Sequence, residues 1–286
     1  MADYSAIDFD QLAMDSFKAY VAELTPLAAF SRSYSSEVAA KGASVSVPVI
    51  GSATAAAFGA SGYEADGGSI SDIQVVVGTH LVSSFPITDV QAGATNYSTL
   101  LEQSAMHAKA VAELTQTLIW ADVTSTTWGT TAFDTLGTAA GFDSDDVIDV
   151  RTSCTADNMK RGRSMILDEA YYGALLKDSG FKNALNYGGT DPVREGQIPR
   201  AFGFNFYEST LVPGNSQNMV GIACTADAYA VAIRLPDPNR NTGPGLNRTV
   251  NFRAMSDAET GASLAMRVHA DEKLGKLWVS FEILYG

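Results

Sequence analysis

The chain has 286 residues, 19 Lys and Arg against 32 Asp and Glu, a net charge of −13, and a charged fraction of only 18%. Such a length allows one large domain or two small ones with a substantial core, while the acidity argues against affinity for nucleic acid or anionic membrane, which needs cations to neutralise phosphate. A charged fraction below the roughly 25% of ordinary soluble domains fits a surface largely covered by neighbouring chains.

The first ten residues carry acids where a secretory signal carries bases, and no apolar run follows them, so export is not expected. Phe9, Leu12, Ala13, Phe17, Tyr20, Val21 and Leu24 share one helical stripe, which predicts a short amphipathic helix over residues 8 to 24, capped by Asp8 and stopped by Pro26. The segment from Pro26 to Tyr34 is apolar without periodicity and reads as an arm lying along a partner, with Phe30 and Tyr34 as its contacts.

Residues 42 to 63 hold no charge, yet Val45, Val47 and Val49 alternate at strand period and Pro48 interrupts them, so this is strand and loop rather than a membrane span. A second run, Ile70 to Val77, completes a long hairpin. A two-stranded hairpin is marginal alone in water, and this one must rest on something else, another subunit included. Phe58, Tyr63 and Glu64 stand at its tip.

A longer helix is predicted from 97 to 120, roughly 36 Å long, with Thr99 and Glu102 at capping-box spacing. Residues 128 to 141 read as loop, 145 to 158 as helix, and 163 to 167 as a short apolar strand. Asp168 is placed to cap a helix over 169 to 177, with Gly180 just past its end. After a loop at 186 to 197, a strand is expected over 202 to 209 with a turn at Pro213-Gly214, then a compact Ala-rich helix over 227 to 234 and a loop over 236 to 247. Two strands, 262 to 269 and 277 to 285, close the chain, and the class is α+β.

Chemistry-bearing motifs are missing. His80, His107 and His269 lie in regular elements without companion ligands, and neither HExxH nor paired CxxC occurs, so no metal or cofactor is expected. Gly59-Ala-Ser-Gly62 is not a nucleophile elbow, and no phosphate-binding loop is present. The cluster Asp143, Asp145, Asp146 and Asp149 lacks the glycine and distal glutamate of a calcium loop and suits a helix N-terminus better. Lys160, Arg161 and Arg163 read as a solvated turn or ion-pair site, and Cys154 and Cys224 as small buried hydrophobes. No catalytic residue is expected, and the chain is not read as an enzyme.

Arg163–Lys177 resembles the strand-then-helix segment of tailed-phage major capsid proteins of the Hong Kong 97 type. Gly196–Ser209, continuing to Val212-Pro213, resembles their G-x-I…G-F-x-V-x-x-S…P stretch with Phe206 in place of valine, and Trp278–Gly286 is similar to their terminal strand. The P22-coat-like group is the nearest in pattern. The resemblance implies an N-terminal helix and arm (1–41), an extended loop hairpin (42–80), a peripheral domain (81–135 and 250–286) holding the spine helix and closing strands, and an axial domain (136–249). It further implies hexamers and pentamers of this chain in an icosahedral shell around double-stranded DNA, a virion protein assembled in the host cytoplasm, with portal and decoration proteins as partners and no membrane.

Because Met1 lies close to the arm, a separate scaffolding protein is expected, and without a lysine in residues 42 to 78 a lysine cross-link from that loop is not. An encapsulin-like nanocompartment shell is the alternative, since it shares the fold. A soluble hydrolase would need a clustered nucleophile and base, which the sequence lacks.

Overall fold

A computed structural model describes residues 8–33, 44–51, 58, 70–88, 97–124, 138–182, 196–198, 200–212, 219–237, 248–257, 261–271 and 273–286. Helix α1 (Phe9–Ala28) begins where Asp8 accepts the backbone N–H groups of Asp10 and Gln11, satisfying donors left open in the first turn. It does not stop at Pro26. Proline removes only the bond to the carbonyl of exposed Ala22, which water can satisfy, while buried Leu27 draws the last turn into the core.

Helix α2 (Tyr97–Asp122) is the longest element, about 39 Å at 1.5 Å per residue, and packs along α1. It starts before Thr99, which lies exposed inside the first turn, so the capping-box spacing of Thr99 and Glu102 does not serve as its N-terminus.

Both helices cover one face of an antiparallel sheet ordered β10 (Arg248–Ser256), β11 (Ser263–Asp271), β12 (Lys276–Tyr285) and β4 (Thr79–Thr88). The short β9 (Ile233–Arg234) also pairs with the end of β12. Strand alternation decides what faces the helices. Leu81, Phe85 and Ile87 on β4, Val279, Phe281 and Ile283 on β12, and Leu264, Met266 and Val268 on β11 are buried in one core with Leu12, Tyr20, Ile119 and Trp120.

A second core forms around a three-stranded sheet in which β5 (Arg163–Leu167) pairs parallel with β6 (Phe204–Glu208) and antiparallel with β7 (Gly221–Cys224). Helices α3 (Ser144–Ala156) and α4 (Glu169–Lys177), and the single turn α5 (Ser179–Lys182), complete it around Val147, Tyr172, Leu175, Phe181 and Phe204. Phe206, the residue in place of valine, meets Phe181 edge-on at 6.0 Å between centroids.

The acidic cluster caps α3. Asp143 accepts from the Asp145 and Asp146 amides, and Asp146 accepts from the Asp143 amide at 3.1 Å. Asp168 stands at the N-cap of α4 without a side-chain bond, and Gly180 lies inside α5, not in a C-terminal cap. Asp178 separates the two helices and accepts from the Ser144 and Gly180 amides, each at 3.2 Å.

Two expectations fail at β structure. The segment 227–234 is no helix: Tyr229–Val231 is β8, parallel to β1 (Ser31–Ser33), and Ile233–Arg234 is β9. Period-two alternation of Tyr229, Val231 and Ile233 prevails over alanine's helix propensity because strand partners from distant parts of the chain lie on both sides. The strand expected from 202 begins at Phe204, because Phe202 and Gly203 take positive φ of 50° and 90° in a turn.

Candidate functional site

The hairpin predicted from the sequence is present. Strands β2 (Ser44–Ile50) and β3 (Ile70–Val76) pair antiparallel with Val47 opposite Ile73 and Ile50 opposite Ile70. At its base Val45 and Val47 are buried against Val77 and Ala232. Further out Val49, Ile50 and Ile70 are exposed, Ile50 by 77% and Ile70 by 71%, and on β3 Ile73, opposite Val47, and Val76, at the root, are exposed as well. So many large apolar groups on one two-stranded projection are the pattern of a surface made to be covered.

Of the residues expected to contact a neighbour, Phe58 is 75% exposed. Tyr34, Tyr63 and Glu64 lie outside the described residues. Phe30 is a correction: it is 1% exposed within its own chain and stacks on Trp120 with centroids 5.0 Å apart. An apolar residue near an amphipathic helix has two possible sinks, and here the open end of the α1–α2 groove receives it.

The three histidines are dispersed among structural contacts. His80 Nε2 lies 2.9 Å from Glu282 Oε2; His107 Nδ1 lies 2.8 Å from Ser83 Oγ, with its ring stacked on Phe85; His269 stacks on Trp278. Arg163, far from being solvated, is 9% exposed and donates to the carbonyls of Lys160, Arg151, Cys154 and Met159, closing the C-terminus of α3. Lys160 does form an ion pair, at 3.7 Å from Asp227.

Both cysteines are buried free thiols, and burial, with Cys154 nearby, pushes Cys224 up to about 12, so it carries no thiolate at neutral pH. Among the described residues no group of three or more His, Cys, Asp or Glu side chains is arranged to hold a metal ion, and no helix is long and apolar enough to cross a membrane.

On the sheet face away from the helices lies a polar centre that sequence reading missed. Arg267 and Glu282, each 5% exposed, form an ion pair through Nε and Oε1, and Arg267 also donates to the Asp237 carbonyl at 3.0 Å. The only signal available was one basic and one acidic residue in apolar strands, and register was needed to bring them together.

His107 and His269 both titrate below the ordinary histidine range, in each case chiefly because burial disfavours the imidazolium, with Arg267 adding to the effect at His269. An unfolded imidazole titrates near 6.5, so between that value and the lower folded one the unfolded chain binds more protons and stability rises with pH. The contribution is complete above about 6.5 and is lost as pH falls through the folded values. Calorimetric midpoints should therefore drop on acidification across this window and drop less for His107→Gln. Parallel slopes for the two proteins would mean that His107 does not contribute.

No family model and no curated protein matches this sequence. Solved structures do. The chain is similar to one of Mycobacterium phage Che8, at 18% identity over 90% of this chain and 84% of that one, with a TM-score of 0.55. It is similar to the capsid structure of cyanophage P-SCSP1u, at 14% identity over 91% and 82% with a TM-score of 0.54. It is also similar to the capsid asymmetric unit of cyanophage Pam1, at 11% identity over 92% and 87% with a TM-score of 0.55. The fold of this chain is therefore one found in phage capsid structures. It is shared along nearly the whole chain.

Proposed function

We propose that this chain is the major capsid protein of a tailed phage, assembling through hexamers and pentamers into an icosahedral shell that encloses double-stranded DNA. The observation that carries the reading is the fold shared with phage capsid structures over about nine-tenths of the chain. The exposed apolar hairpin and the low charged fraction support it. Closed shells need only modest contacts repeated over many copies, because each added subunit engages several neighbours at once.

In this reading the hairpin of residues 42–80 lies across a neighbouring subunit, covering Ile50, Ile70 and Phe58, whose burial contributes at roughly 25 cal/mol per Å². The unit around β10, β11, β12, β4 and α2 is the peripheral domain, and the unit within 136–249 is the axial domain around which capsomers close. Scaffolding, portal and decoration proteins act as partners in the host cytoplasm, and the product is the virion shell, a structural role without catalysis. With a net charge of −13 the subunit contains its DNA by enclosure and not by average attraction. The structures it resembles are phage capsids, so a nanocompartment shell is not favoured.

Expression with and without the neighbouring genes, followed by electron microscopy, tests this. Closed shells of uniform diameter are expected, and deletion of residues 55–68 should abolish them while leaving soluble folded subunits. A monodisperse monomer under both conditions would sink the capsid reading; normal shells from the deletion would refute the hairpin's role.

A further inference from the structure

The buried contacts between the hairpin and the rest of the chain, among the described residues, gather in one small cluster of Val45, Val47, Val77 and Ala232, with Val75, Ala230 and Leu284 packed at its edge. This cluster is separate from the two larger cores. Beside it, Gly286 donates its N–H to the Ala232 carbonyl at 3.0 Å and accepts the Ala232 N–H at 2.9 Å. Those reciprocal bonds hold Gly286 immediately past the last β12 pair, Tyr285 opposite Thr79.

Antiparallel register carried one step further sets Gly286 against Gly78, in the two-residue link through which β3 passes into β4. The two glycines differ. A Cβ on Gly286 would collide with the Val76 carbonyl and stand 2.8 Å from the Val77 Cα, against backbone and not the end of a flexible side chain. A Cβ on Gly78 would meet nothing within 4 Å, and its φ is not positive.

We infer that Gly286 and Ala232 form a latch that fixes the direction in which the β2–β3 hairpin leaves the subunit. Gly286 is needed because backbone passes against backbone there. At Gly78 neither space nor φ demands a glycine. The latch rests on contacts inside one subunit, so it goes beyond the shell assignment and does not depend on it.

Hydrogen exchange on the soluble subunit tests the latch. Gly286→Ala should speed exchange of the paired amides in 44–50 and 70–76 by about tenfold or more while the central amides of α2 keep their protection. Gly78→Ala should leave hairpin exchange unchanged or slower, because alanine at an unstrained site restricts the unfolded chain. If Gly286→Ala unfolds the whole subunit, Val77→Ala takes its place, trimming the same cluster from the hairpin side without a clash, with the same expected result. Unchanged hairpin exchange in whichever of these two variants folds, or equal acceleration in Gly78→Ala, would overturn the latch.

Discussion

Replacing Arg267 by methionine is expected to lower the unfolding free energy by about 3–5 kcal/mol, the cost of leaving one partner of a buried ion pair uncompensated. Arg267 and Glu282 come from adjacent strands β11 and β12, two residues out of register, so their side chains lie diagonally on the same face. The guanidinium bonds the Glu282 carboxylate and the Asp237 carbonyl, and lies 5.1 Å from the centre of the Phe252 ring. The other carboxylate oxygen is held by His80 across β4. Removing Arg267 leaves the buried carboxylate without its guanidinium, with His80 on its other oxygen. Adding Glu282→Leu to Arg267→Met should restore much of the lost stability, since neither charge is then buried. Urea unfolding of the two single variants and the double variant measures this cycle. A loss below about 1 kcal/mol for Arg267→Met would place the pair among surface ion pairs in energy and defeat the argument.

The second large effect is at Trp120, where truncation to alanine should cost about 3–5 kcal/mol, the usual range for a buried aromatic. Trp120 is 1% exposed at the end of α2, and its ring stacks on Phe30 at an interplanar angle of 29°. Phe30 in turn accepts the Tyr229 amide at 3.1 Å, at the start of the β1–β8 pairing. Loss of the indole removes the platform that holds the segment after α1 against the body, so amides of β1 and β8 should lose exchange protection together. The indole Nε1 has no hydrogen-bond partner. Trp120→Phe therefore sacrifices volume without breaking a polar contact, and should cost about 1.5 kcal/mol or less. Equal losses for Phe and Ala would show that something other than ring packing decides stability there.

These two sites differ in how far they could be read from the sequence. Trp120 ends the helix predicted over 97 to 120 and lies four and eight residues past buried Gln116 and Ala112, so its burial follows locally from helical period. Its partner is not, since Phe30 read as a contact for a neighbouring chain. The pairing of Arg267 with Glu282, and of Glu282 with His80, required the register of three strands, one of them some two hundred residues away. The hairpin strands were legible to within a residue at either end because β-branched residues alternate there. Where the hairpin rests was legible only as a need, and Val77, Ala232 and Leu284 supply the part of the answer that lies within one subunit.

Local chemistry, by itself, determined the α+β class, the long helix, the hairpin, the closing strands, the cap at Asp8, and the acidic helix N-terminus that begins at Asp143. Each rests on interactions spanning a few residues, for which period and composition suffice. Tertiary structure decided the rest. It turned 227–234 into strands by offering β1 and β12 as partners, carried α1 past Pro26 by burying Leu27, drew Phe30 inward, and set Gly286 against the hairpin base. In each case a contact between distant segments outweighed a local preference of about 1 kcal/mol or less for propensity, or about 3 kcal/mol for a helical proline.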